Sequence, residues 1–168
     1  NTVVVLNAGA PIVMPWADQV AGIVEAFYPG MENGNAIANI LLGEVNPSGK
    51  LPITFPRRLE DNPAYINVSY PNCREVNYGE GIFVGYRYYD KKNVEPLFPF
   101  GHGLSYTTFE YSQVKAPKTV KAGDPVNVSV KVKNTGKVTG KEVVQLYIAD
   151  LQSSLPRPRL SVADSSIN

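Results

Sequence analysis

From Val126 to Lys133 the chain alternates strictly: Val126, Val128, Val130 and Val132 are interleaved with Asn127, Ser129, Lys131 and Lys133. Successive strand side chains point to opposite faces, so this pattern specifies a strand with one buried and one wet face. Such a strand needs a second apolar layer over its valines. Asn134-Thr135-Gly136-Lys137 is a turn, after which Val144, Leu146 and Ile148 alternate with Val143, Gln145 and Tyr147. With Phe109 to Val114 this predicts three strands of a β-sandwich. A sandwich of this type needs about seven strands and roughly 100 residues. The stretch after Ile148, through Leu155-Pro156-Arg157-Pro158-Arg159 to Asp164–Asn168, offers no further strand pattern. The sandwich is therefore expected to be incomplete.

The opposite end of the chain follows another rule. Thr2 to Asn7 is apolar on both faces, as in a buried parallel strand, and Ala8-Gly9-Ala10-Pro11 ends it. Trp16 to Gly22 reads as a short helix, and Ile23 to Tyr28 as a second strand stopped by Pro29-Gly30. A helix follows from about Glu32 to Leu42, with Ala36, Ile37, Ile40 and Leu41 on one face and Gly43 as its stop. Leu51 to Phe55 reads as a third strand, closed by Pro56. Strand, helix, strand, helix, strand is part of a doubly wound α/β sheet. Between Pro56 and Tyr106 lies an irregular, aromatic-rich stretch punctuated by Gly79, Gly81, Gly85, Gly101 and Gly103, expected to pack as a connector. The fold class expected is thus a partial α/β sandwich over residues 1–56, an aromatic linker over 57–107, and an incomplete all-β sandwich over 108–168.

Charge and cysteine count exclude several functions. A net charge of +1, with no contiguous basic run, argues against a nucleic-acid partner. No apolar run approaches the roughly 18 residues that cross a bilayer. The single cysteine, Cys73, cannot form an internal disulfide. With His102 as the only histidine, a His/Cys metal site is not expected, and nothing calls for a cofactor.

Candidate site residues are few. Glu32 opens a helix, where the dipole alone favours a carboxylate. Glu80 lies in the glycine-flanked loop Tyr78-Gly79-Glu80-Gly81, a place for contact with a ligand or a neighbouring domain. Tyr86, within Tyr86-Arg87-Tyr88-Tyr89, could stack on a sugar, but packing and an Arg–ring contact are the favoured account of the stripe. His102, with no motif around it, reads as structural. Sequons at Asn67-Val68-Ser69 and Asn127-Val128-Ser129 make Asn67 and Asn127 glycosylation candidates. They tilt the expected location toward secreted, with a cytoplasmic one left open. No phosphate loop and no Gly-x-Ser-x-Gly elbow is present, so spacing alone names no reaction.

Several segments together carry a resemblance. Asn46-Pro47-Ser48-Gly49-Lys50-Leu51-Pro52, Gly81-Ile82-Phe83-Val84-Gly85-Tyr86-Arg87-Tyr88-Tyr89-Asp90 and Pro99-Phe100-Gly101-His102-Gly103-Leu104-Ser105-Tyr106-Thr107 resemble the C-terminal part of glycoside hydrolase family three β-glucosidases, in wording closest to fungal members. Pro29-Gly30-Met31-Glu32 is similar to that family's Pro-Gly-Gln-Glu turn, with Met31 in place of Gln. Val126 to Ile148, including Gly140-Lys141-Glu142-Val143-Val144-Gln145-Leu146-Tyr147, is similar to its fibronectin type III-like domain. The resemblance implies hydrolysis of β-glucosides with retention. An Asp on a separate (β/α)₈ barrel would be the nucleophile, and a Glu on a loop just before the strand at Thr2 would be the acid/base. Neither matches a position in this chain, so no catalytic residue is carried over. The expectation is a β-glucosidase fragment, inactive without its barrel, the alternative being a non-catalytic carbohydrate-binding or interaction module.

Overall fold

The computed structural model describes residues 1–67 and 77–162, with the backbone alone for Ile66 and Asn67. Cys73, Tyr70, the Val68 and Ser69 of the first sequon, and Asp164–Asn168 lie outside the described residues.

Strand β1 (Val3–Leu6) pairs in parallel with β2 (Gly22–Glu25), in the register Val3 to Gly22 through Leu6 to Glu25. The β-branched apolar residues of both strands suit a sheet covered on its two faces. The crossover between them holds only a 3₁₀ turn, Ala17–Gln19, where a longer helix was expected from Trp16 to Gly22. The N–H of Ala21 already donates to Thr2 O at 2.8 Å, so the chain is committed to the second strand before another turn can form. Strand β2 also ends earlier than the apolar run to Tyr28 suggests. The Glu25 carboxylate accepts the Phe27 N–H at 2.9 Å, and Phe27 adopts φ 49°, which turns the chain out of the sheet.

Helix α1 (Asn33–Leu41) follows a 3₁₀ turn at Gly30–Glu32. Ile37 and Ile40 are half-buried, as their spacing requires, whereas Ala36 and Leu41 are exposed. Gly43, at φ 79°, donates to Ile40 O and ends the helix in the left-handed conformation that glycine adopts without penalty.

Leu51 to Phe55 is not a third strand of the parallel sheet, which corrects the sequence reading. It runs extended against residues 97–102 instead. Leu51 N–H donates to His102 O at 2.8 Å, Gly101 N–H to Leu51 O at 2.7 Å and Phe55 N–H to Phe98 O at 2.9 Å. The only ladder-type pairing described there is the antiparallel bridge between Phe55 and Phe98. Pro52 and Pro56 lack the N–H donors that a longer ladder would use. This pairing buries Phe55 to 1% exposure; Thr54, Asp61 and Tyr89 are buried as well.

Among its described residues the aromatic stretch holds a 3₁₀ turn at Leu59–Asp61 and two α-helices, α2 (Pro63–Asn67) and α3 (Tyr86–Lys92). Beyond it, β3 (Phe109–Lys115) pairs antiparallel with β4 (Ser129–Asn134), with a register shift between Ser112 and Lys115 where Gln113 takes φ 53°. Strand β5 is reduced to Tyr147–Ile148 and pairs antiparallel with β6 (Ser161–Val162). The expectation that no strand follows Ile148 is therefore corrected: two paired residues are too few to leave an alternating pattern. The alternation near β5 also resolves opposite to its hydropathy. Gln145 and Tyr147 are half-buried, while Val144, Leu146 and Ile148 are exposed.

Candidate functional site

Ligands of open α/β sheets bind outside the carboxyl ends of the parallel strands. At that edge here, Asn7-Ala8-Gly9-Ala10 leaves β1 and Ala26-Phe27-Tyr28-Pro29 leaves β2. The Tyr28 ring lies so close over Gly9 that a Cβ there would collide with its hydroxyl, yet 82% of Tyr28 is exposed. Glu25 was not singled out from sequence. Its Oε1 holds the Phe27 amide, and its Oε2 is buried without a hydrogen-bond partner among the described residues, as is Asn33 Oδ1. A Glu at the last position of an otherwise apolar strand was the signal available.

The predicted candidates occupy three different environments. Glu32 is exposed beside this edge, and its Oε2 accepts a hydrogen bond from Asn35 Nδ2 at 2.6 Å. Glu80 is half-buried and lines a pocket of about 340 Å³ with Pro63, Phe83, Tyr88, Lys91 and Lys92. The Lys91 ammonium lies 5.4 Å from the centre of the Phe83 ring in that pocket. Tyr86 is packed. Its ring stacks on Phe100 at 5.1 Å and meets Tyr147 edge-on at 6.0 Å, and its hydroxyl accepts the Val162 N–H at 3.0 Å. The Arg87 guanidinium lies 5.7 Å from its centroid.

His102 stacks on Phe98 at 5.1 Å and 20°. Burial, with the Lys50 charge as a smaller contribution, lowers its pKa below the ordinary imidazole value. Asn127 is exposed in the loop before β4, two residues ahead of the strand on which it was expected, and lines an open groove of about 950 Å³. Asn67 is the last residue of α2. Among the described residues no three His, Cys, Asp or Glu side chains converge to hold a metal ion, and no helix is long and apolar enough to cross a membrane.

A parallel strand pair with its helix, a packed aromatic connector and a following β unit make up the described chain. Residues 1–106 match the family described as "Glycosyl hydrolase family 3 C-terminal domain", and the chain belongs to that family. It is 57% identical over 159 residues to "Thermostable beta-glucosidase B" of Acetivibrio thermocellus, covering 94% of this chain and 21% of that protein. It is 52% identical over 164 residues to "Probable beta-glucosidase I" of Aspergillus terreus, covering 94% of this chain and 19% of that one. Among solved structures, β-glucosidase 3B from Thermotoga neapolitana, in complex with α-D-glucose, superposes with a TM-score of 0.87 at 43% identity, covering 95% of this chain and 22% of that one. β-Glucosidase from Kluyveromyces marxianus, in complex with glucose, gives 0.86 at 46% identity, covering 96% and 19%. The chain thus spans about a fifth of the length of the relatives it matches.

Proposed function

We propose that this chain forms the C-terminal part of a retaining β-glucosidase that releases terminal non-reducing β-D-glucosyl residues, in polysaccharide breakdown. The observation that carries the reading is continuity. The 57% identity to a β-glucosidase extends over 94% of the chain, through the α/β part, the aromatic connector and the β unit alike. In this reading residues 1–56 belong to the α/β-sandwich domain, 57–107 to its connector, and 108–168 to a fibronectin type III-like domain. Retention needs two carboxyl groups about 5–5.5 Å apart, one as nucleophile and one as acid/base. Both are supplied by segments outside this chain, the nucleophile by a barrel domain, so the chain alone is inactive. Glu32 and Glu80 are then peripheral to the chemistry, and Asn67 and Asn127 are glycan acceptors of a secreted parent.

The alternative, a free-standing sugar-binding module, needs an accessible ring face. Tyr86 spends its ring on Phe100 and Tyr147, which favours the glucosidase reading.

Two proteins test the proposal on an aryl β-glucoside: the purified chain, and the Acetivibrio enzyme with its matching fifth replaced by this chain. The chain alone should give no turnover, while the chimera should hydrolyse the substrate and release β-glucose first, seen by proton NMR. Turnover by the chain alone, surviving contaminant controls, would overturn its inactivity. A folded but inactive chimera would overturn the assigned role.

A further inference from the structure

The turn Asn46-Pro47-Ser48-Gly49-Lys50, which links α1 to the extended segment at Leu51, makes long-range polar contacts on two sides at once. Asn46 Oδ1 accepts from Ser105 Oγ at 3.0 Å and from the Tyr106 N–H at 2.8 Å, both in the connector. Its Nδ2 donates to Thr139 O at 3.1 Å, in the loop between β4 and β5. Lys50 Nζ repeats the arrangement. It donates to Gly103 O in the connector at 2.7 Å and lies 3.3 Å from Glu142 Oε2 in the β unit, with both side chains only 15% exposed. The other Glu142 oxygen accepts the Tyr111 hydroxyl from β3 at 2.9 Å.

Backbone packing matches these polar contacts. A Cβ on Gly103 would collide with the carbonyl oxygen of Gly49. A Cβ on Gly140 would come within 2.7 Å of Asn46 Nδ2 and 2.9 Å of Thr107 Cγ2. Close approach of this kind is open only to glycine. A largely shielded ion pair that also holds a backbone carbonyl and a phenol is also less screened than a surface pair, and its geometry is fixed by several partners.

We propose that Asn46 and Lys50 form a latch that sets the orientation of the β unit on the α/β part. The aromatic contacts of Tyr86 with Tyr147, and the Gln145 Nε2 bond to Gly101 O at 3.1 Å, tie the β unit to the connector on another side, and in this reading they alone would allow rotation about that line of contact. The latch removes that freedom because one five-residue turn grips the connector and the β unit simultaneously. Its loss frees the angle between the parts without unfolding either.

Spin labels at Ala38→Cys on α1 and Lys131→Cys on β4, in a Cys73→Ser background, report the separation of the two parts of the full chain by pulsed electron resonance. The unmodified latch should give one narrow distance distribution. Asn46→Ala with Lys50→Met should at least double its width with the far-ultraviolet circular dichroism retained. Glu142→Gln, which keeps the shape and removes the ion pair, should broaden it by less. Tyr147→Ala, outside the latch, should lower the melting temperature more than it widens the distribution. If the double variant loses its fold, the Lys50→Met and Glu142→Gln single variants decide the question. Distributions as narrow as that of the parent chain in both would overturn the latch.

Discussion

The imidazole of His102 lies flat against Phe98, and its surroundings disfavour the charged form. Its folded pKa is below the unfolded value of about 6.5. The unfolded chain therefore binds a proton first as pH falls. The stability tied to neutral His102 is complete above about pH 6.5 and is lost as pH falls through the folded pKa. His102→Phe keeps the stack and removes the titration. Its melting temperature should decline less than that of the parent chain between pH 7 and pH 5, and equal declines would assign the acid sensitivity elsewhere. Gly103 makes a second residue-scale point. Gly103→Ala meets a carbonyl oxygen that cannot rotate away, and should cost about 1–3 kcal/mol in denaturant unfolding. The sequence showed that His102 had no motif and that Gly103 punctuated an aromatic run. It could not show what each one touches, because Phe98 and Gly49 become neighbours only through the pairing of 51–55 with 97–102.

At the scale of elements, strand type was legible and strand partners were not. The unbroken apolar run of β1 matched a parallel strand and the alternation of β4 an antiparallel one, each a local property of side chains, although β1 is only half-buried here and Val3 is exposed. Whether Leu51–Phe55 joins the parallel sheet or pairs with Phe98 depends on a segment more than forty residues away, and only hydropathy was available to judge it. Helix α3 was hidden for another reason: Tyr86-Arg87-Tyr88-Tyr89 carries rings on every face, so no apolar stripe stands out. Its ends are set by backbone conformation, with Gly85 at φ 58° before it and Asn93 at φ 53° after it. Lys91 and Lys92 in its last turn complement the helix dipole. The left-handed C-cap supplies a test. Asn93→Val places a β-branched residue there and should cost about 1–2 kcal/mol, whereas Asn93→Gly should be neutral or stabilising. Thermal melts of both variants followed by circular dichroism check this, and equal losses would show that the Asn93 side chain matters rather than its backbone angle.

For the whole molecule, the stretch 144–148 at β5 turns its polar side inward and its apolar side out, the reverse of β4, where Val130 and Val132 are half-buried and Lys131 and Lys133 exposed. Tyr147 packs on Tyr86, and Gln145 bonds both Gly101 O and the Tyr147 hydroxyl, so the aromatic connector has claimed that face. Val144, Leu146 and Ile148, at 41%, 37% and 60% exposure, are left on the other. The alternation was read correctly as two-faced, but hydropathy assigned the wrong face to the contact within this chain. A contiguous apolar face beside short two-residue strands invites association through surface and edge alike. Purified chain should therefore associate reversibly at concentrations on the order of tens of micromolar, the range in which exposed apolar surface drives assembly. Val144→Lys with Ile148→Lys should shift it toward monomer in sedimentation velocity, while unfolding free energy changes by no more than about 0.5 kcal/mol, as for exposed positions. Gln145→Ala should do the reverse, lowering stability by loosening the junction and leaving association intact. Should the lysine pair leave the sedimentation profile unchanged, the contact lies on another surface, and the strand edges of β4 and β6 become the next to block.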